Sequence, residues 1–309
     1  MKDLQTSLSG EKAFKKELLN KRLGFSFYAL RIEQATRKLI NDFSKAEAIL
    51  FSKKDLLGKK FLQAWQNIEK IGREIGFENM SFHFPMNDCD YVHDDEVFEI
   101  LVECIKICES YEIPIVVLHP NIRYLISEWK QKNIQYLQAK LFDRLYTATS
   151  LCEKVTICLE NMPPIGNQFD DGDILFLNIS DVINRTTKKL KLTWDINHYF
   201  NVVETMKIAT SDSELRNFLP RYFNCDYFDF KCLIKDIHHW HFSAFDKIAN
   251  PFSKKICIEG IVPRTGLYNY KEALNVILNE GHGNIILEIN EVNYTRRENI
   301  YKMKSWCYK

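Results

Sequence analysis

The runs VTICLENMPP at residues 155–164 and LKLTWDINH at residues 190–198 decide the fold of this chain. Each is short, rich in β-branched and apolar residues, and closes on an acid, Glu160 or Asp195, before turning polar. That is the pattern of a buried strand followed by a loop. Four more runs share it: MSFHFP (80–85), IPIVVLHP (113–120), IHHWHFSA (237–244) and NIILEIN (284–290). Two weaker ones, LGFSF (23–27) and AEAIL (46–50), precede them. The stretches between have helical periodicity. Residues 95–112 place Val97, Ile100, Leu101, Cys104, Cys108 and Tyr111 on one face, and residues 134–152 do so with Leu137, Leu141, Leu145, Ala148 and Cys152.

Strands alternating with helices predict a parallel sheet. Eight such units closing on themselves predict an α/β fold, a single (β/α)8 barrel spanning residues 1–309, with residues 1–20 as a leader helix or arm. A doubly wound open sheet is the weaker reading, because no Gly-rich phosphate loop follows the first strand. Ser211 with Glu214, Asn269 with Glu272, and Thr295 with Glu298 fit capping boxes at the starts of three later helices. Gly281 reads as the stop of the middle one.

Composition narrows the class. Length alone, 309 residues, allows two domains, but 46% hydrophobic and 27% charged residues exclude disorder and collagen-like repeats. No apolar run approaches the roughly 18 residues of a membrane helix. The charged N-terminal stretch does not read as a secretory signal. Lys and Arg number 42 and Asp and Glu 41, so no global field favours nucleic acid or a membrane. Nine scattered cysteines without a C-x-x-C pair read as reduced core thiols in a cytoplasmic protein.

The ionisable residues carry the functional signal. His83, His119, Glu160, Asp195, His241 and Glu288 each fall at or beside a strand end, at successive spacings of 36, 41, 35, 46 and 47 residues. In a barrel those ends meet on the rim where active sites lie. Carboxylates and imidazoles converging there suit one divalent metal, Mn²⁺, Mg²⁺, Co²⁺ or Zn²⁺, without choosing among them. A buried ion-pair network without a cation is the alternative, and it is costly in desolvation.

At these residues the sequence resembles the xylose isomerase-like barrel superfamily. That group holds sugar and sugar-phosphate isomerases and epimerases of the tagatose 3-epimerase type, inosose dehydratase-like lyases, and the metal-dependent apurinic/apyrimidinic (AP) endonucleases of family 2. The matching pieces are VVLHP, ICLENMP, TWDINH, the Ile-x-x-x-His-x-Ser stretch from Ile237 to Ser243, and IILEIN. They cover roughly residues 80–290, with a weaker extension through RLGFS.

The resemblance implies Glu160, Asp195, His241 and Glu288 as metal ligands, with Glu160 and Glu288 also carrying protons. It implies His198 as a contact to substrate hydroxyls. His83 and His119 match histidines that the endonuclease branch uses for further metals, and otherwise face the substrate. His238, His239 and His241 all compete for the strand-seven position. The motif selects His241, and parity puts His239 on the same face. His83, His119, His198 and His239 are the alternative ligands. Ser243 and Ala244 stand where the family usually has Asp or Asn, and Asn121 where it usually has Gly.

The endonucleases need an Asp-x-His pair soon after strand seven, and residues 245–266 contain no His. The expected function is therefore a metal-dependent sugar or sugar-phosphate isomerase or epimerase working through an enediolate. The alternatives are an endonuclease or phosphodiesterase, a dehydratase, or a degenerate barrel that binds a ligand or a protein. Trp194 could stack on a sugar face or pack in the core, and Arg264 could grip a phosphate or be solvated. Segment 126–152 has two readings, a cover over the barrel mouth or a contact in a homo-oligomer.

Overall fold

The computed structural model describes residues 13–166, 171–264 and 269–309. Eight parallel strands form a closed barrel: β1 (Leu23–Tyr28), β2 (Lys45–Ile49), β3 (Met80–His83), β4 (Ile115–Leu118), β5 (Thr156–Glu160), β6 (Leu190–Asp195), β7 (Ile237–His241) and β8 (Asn284–Leu287). Each pairs with its sequence neighbours, and β8 returns to β1 through Gly24 opposite Ile286. A Cβ on Gly24 would stand 2.6 Å from the Ile286 side chain and 2.8 Å from the Lys45 carbonyl oxygen. Only glycine fits that seam. All eight expected strands are present, and each ends within a few residues of the reading above.

The main helices, α1 (Gly58–Ile75), α2 (Asp95–Tyr111), α3 (Ile134–Ser150), α4 (Ile196–Ser211), α5 (Tyr270–Asn279) and α6 (Glu298–Cys307), surround the barrel. Val97, Leu101, Cys104 and Cys108 on α2 are buried, as are Leu137, Leu141, Leu145 and Ala148 on α3. All nine cysteines are free. The helix starts differ in detail. The short helix Ser213–Phe218 is capped by Asp212 accepting from the Leu215 N–H, not by Ser211. Asn269 makes no side-chain cap, and α6 begins at Glu298 behind Arg297 rather than on Thr295. An acid one residue further on, or a loop with its own hydrogen bonds, displaced the expected caps.

Residues 1–12 of the expected leader lie outside the described residues; residues 13–22 are helical and Leu19 is buried. Arg22 ends this helix as a clasp. It donates to the carbonyls of Gly283, Ile277 and Gly281 at 2.6, 2.8 and 3.2 Å, tying β1 to the turn before β8. At the opposite end, Tyr124–Leu125 pairs antiparallel with Asp171–Gly172, a two-stranded flap beside the mouth. Among the described residues no helix is long and apolar enough to cross a membrane.

Asp173, next to that flap, is buried with Oδ1 lacking a hydrogen-bond partner. Burial pushes its carboxyl up to about 8, against the opposing pull of Arg123. The folded state therefore keeps a proton that the unfolded chain loses above its ordinary pKa. Asp173's contribution to stability falls as pH rises from about 4 toward 8, by at most about 1.4 kcal/mol per unit. Asp173→Asn removes this dependence. Denaturant unfolding of both proteins at several pH values should show the variant gaining on the wild type as pH rises, and parallel curves would refute the assignment.

Candidate metal centre

The barrel strands deliver their last inward residues to one point. Glu160 closes β5 and is fully buried. Its Oε2 stands 3.2 Å from His83 Nε2 at the end of β3 and 3.1 Å from His119 Nε2 just beyond β4. Its Oε1 stands 3.1 Å from His241 Nδ1 on β7 and 3.3 Å from His198 Nδ1 on the first turn of α4. Asp195 ends β6 in register with His241. It also caps α4, its Oδ1 accepting from the His198 backbone N–H at 2.9 Å. Asn161 braces this corner by exchanging hydrogen bonds with the Asp195 backbone at 2.8 and 3.0 Å. Glu288 follows β8, and its Oε2 is 3.6 Å from His241 Nδ1.

Glu160, Asp195, His241 and Glu288 thus bring four ligand atoms within 4.8 Å of one another. A second group, His83, His119 and Glu160, does the same and shares Glu160 with the first. The polar atoms are poorly satisfied by the protein itself. Buried Glu160 Oε1 and both His241 ring nitrogens lack a hydrogen-bond partner. His83 Nδ1 lies 2.8 Å from the Phe84 carbonyl, which can only accept, so Nδ1 carries hydrogen. A neutral His83 then turns an Nε2 lone pair toward the Glu160 carboxylate. That arrangement needs either an imidazolium or a cation between the two. Donor set, spacing and orphaned atoms all fit a divalent metal with N/O ligands.

The electrostatics follow from burial and neighbours. Burial alone would neutralise Glu160, but His241 and His119 more than offset it and hold the carboxyl well below its ordinary range. Burial opposes the His241 cation, and Glu160, Glu288 and Glu47 overcome it, raising its pKa. Burial lowers His119 to about 4 despite Glu160. Glu288 is pushed up to about 7 by burial, with Glu160, Glu47 and Asp195 adding and His241 opposing.

Above the cluster lies a cavity of about 290 Å³. His83, His119, Glu160, His198, Glu259 and Glu288 form its polar floor, and Phe51, Met86, Met162 and Tyr294 its walls. His198 Nδ1 lies 2.9 Å from the Asn161 carbonyl, which directs Nε2 into the cavity toward Glu259 Oε2 at 4.0 Å.

Two expected substrate contacts are corrected. Trp194 is fully buried between Phe176, Tyr199 and Phe230 and faces the helices, because it has the opposite parity to Asp195. Arg264 is exposed and does not line the cavity, where Arg123 stands instead, paired with Asp171 at 3.0 Å. His238 points away from the cluster, its ring 4.5 Å from that of His282. His239 lies inside, but below the others, where it meets Glu47 at 2.8 Å.

Glu47 and Glu259 were missed. Glu47 had a signal, a lone acid between Ala46 and Ala48 in an apolar strand; Glu259 sits in a loop with no periodicity to read. Two of the departures from the family pattern, Asn121 and Ala244, are also accounted for. Asn121 has φ 58°, a left-handed conformation that Asn tolerates best after Gly, and it donates to the Pro85 and Cys89 carbonyls at 2.9 Å each. Ala244 exchanges backbone hydrogen bonds with Ile261 at 2.9 and 3.0 Å, anchoring the loop that carries Glu259.

Comparison with known proteins places this architecture. The model of the xylose isomerase-like TIM barrel family matches residues 19–308. A D-tagatose 3-epimerase-like protein superposes with TM-score 0.57 at 18% identity, over 92% of this chain and 99% of its own. The 3-keto-D-glucoside 4-epimerase from E. coli does so with TM-score 0.57 at 11% identity, over 93% and 98%. The IOLI protein, solved with a bound zinc atom, gives TM-score 0.53 at 14% identity, over 92% and 95%. No curated protein is similar in sequence.

Asn121 offers a test of how the rim is held. Asn121→Gly keeps the backbone but loses two hydrogen bonds, at a cost of about 1–3 kcal/mol. Asn121→Ala adds about 1 kcal/mol of left-handed strain. Denaturant unfolding should therefore rank wild type above Gly and Gly above Ala; an Ala variant as stable as Gly would show that the strain is relieved elsewhere.

Proposed function

The chain belongs to the xylose isomerase-like TIM barrel family, and on that premise we propose that it is a sugar or sugar-phosphate isomerase or epimerase using one divalent metal. The observation that carries this reading is the group Glu160, Asp195, His241 and Glu288, of which Glu160 and Glu288 line a sugar-sized cavity. These four residues would hold the ion, and N/O donors admit Mn²⁺, Mg²⁺, Co²⁺ or Zn²⁺. Bound there, the ion would polarise a substrate carbonyl and stabilise the charge of an enediolate.

The chain's own residues divide the proton work. Glu160, held ionised by its imidazole neighbours, is suited to accept the proton next to the carbonyl. Glu288, which follows β8 and lines the cavity on another strand from Glu160, is suited to return the proton from the far side of the substrate. His198 presents Nε2 to a substrate hydroxyl, and His83 and His119 line the same floor. Phe51, Met86, Met162 and Tyr294 exclude water from the reacting carbon. The likeness to two epimerase folds and to a zinc-containing barrel supports this reading. The substrate is proposed to be a small carbohydrate rather than nucleic acid, in agreement with the near-zero net charge.

One observation favours a second reading. Glu160 shares its two oxygens between two ligand groups, the second completed by His83 and His119. A carboxylate so placed could serve two metals, as in two-metal phosphodiesterases.

Metal analysis of protein purified without chelator separates the two. One equivalent, lost in Glu160→Ala or Asp195→Ala, supports the isomerase; two equivalents with incision of an abasic-site oligonucleotide support the hydrolase. Fully active metal-free protein would remove both. For the isomerase, Glu288→Gln should retain the fold and cut solvent-deuterium exchange into a ketose by about 10²-fold or more. Undiminished exchange would take Glu288 out of proton transfer.

A further inference from the structure

Below the metal cluster lies a carboxylate that the proposed chemistry does not use. Glu47 on β2 is fully buried. Ser81, its register partner on β3, donates to Oε2 at 2.8 Å. His239 Nε2 approaches the same oxygen at 2.8 Å. Oε1 stands 2.9 Å from His241 Nε2, the ring nitrogen opposite the one that faces Glu160 and Glu288. His241 is therefore held between two carboxylate layers, Nδ1 toward the ligand cluster and Nε2 toward Glu47.

We infer that Glu47 is a positioning residue that fixes His241 as the Nε2–H tautomer, keeping the Nδ1 lone pair aimed at the metal. This rests on the metal-dependent reading above. Three further facts support it. Glu47 Oε1, at 2.9 Å, is the carboxylate oxygen within reach of a His241 Nε2–H. Oε1 of Glu47 is without an aligned partner, while Oε2 is occupied by Ser81 and His239. Finally, a ligating imidazole is oriented and made a better donor when its other N–H meets a carboxylate. Ser81 and His239 would then hold Glu47 in place by occupying its second oxygen. The same geometry explains why His239, though on the inward face, is not placed among the upper ligands.

The test uses the full chain labelled with ¹⁵N-histidine and loaded with Zn²⁺. Long-range ¹H–¹⁵N spectra should show His241 bound through Nδ1, with a protonated, slowly exchanging Nε2–H. Glu47→Leu should lose that protection and weaken Zn²⁺ binding by about 10- to 100-fold, measured by competition with a chromophoric chelator. Glu47→Gln keeps an acceptor oxygen and should recover most of the affinity together with the Nε2–H signature. Zinc bound through Nε2, or Glu47→Leu binding as tightly as wild type, would overturn the inference while leaving the metal reading intact. A wild-type protein that takes up no metal would overturn that reading and this inference with it. Should Glu47→Leu not fold, the wild-type tautomer and the Gln variant still decide.

Discussion

The structure turns on a carboxylate removed from water. Glu160 is fully buried, and an isolated charge in such a place would cost several kcal/mol. Its ionised form survives because His241, His119 and His198 approach its two oxygens from three parts of the barrel. None of those histidines is near it in sequence. The barrel must close, with correct register on every strand, before they can meet it. Fold and site are therefore one problem: a slip of one residue on any of β3, β5 or β7 would turn a cluster side chain into the helix layer.

That dependence explains the rigid surroundings. The side chains of the cluster stand at strand ends or on the first turn of α4, and backbone groups fix several of them. Asn161 ties β5 to β6, Phe84 and Asn161 carbonyls set the rings of His83 and His198, and Tyr91 donates to the His119 carbonyl at 2.8 Å. Side chains so restrained lose little freedom on gathering around a cation or a sugar. Arg22 and Gly24 serve the same end at the far side, where the first and last strands must meet for the barrel to close.

Departures from the family pattern preserve geometry. Asn121 adopts the left-handed backbone that a glycine would take, and adds two hydrogen bonds that glycine cannot make. Ala244 contributes through its backbone, which needs no particular side chain. Neither change removes a group from the cluster.

The sequence by itself determined the eight strands, because buried strands declare themselves by local composition and by a spacing of one β/α unit. It also determined that His83, His119, Glu160, Asp195, His241 and Glu288 share a rim, since parallel strands in a barrel all end on the same side. Alternation along β6 even contained the correction for Trp194, which stands one residue from an inward Asp195. Only the tertiary structure decided which oxygen meets which imidazole, that Glu160 serves two groups, and that Glu47 lies under His241. Those facts depend on distances across the barrel between strands far apart in the chain. Local periodicity reports which way a side chain points, and only closure of the barrel fixes what it meets there.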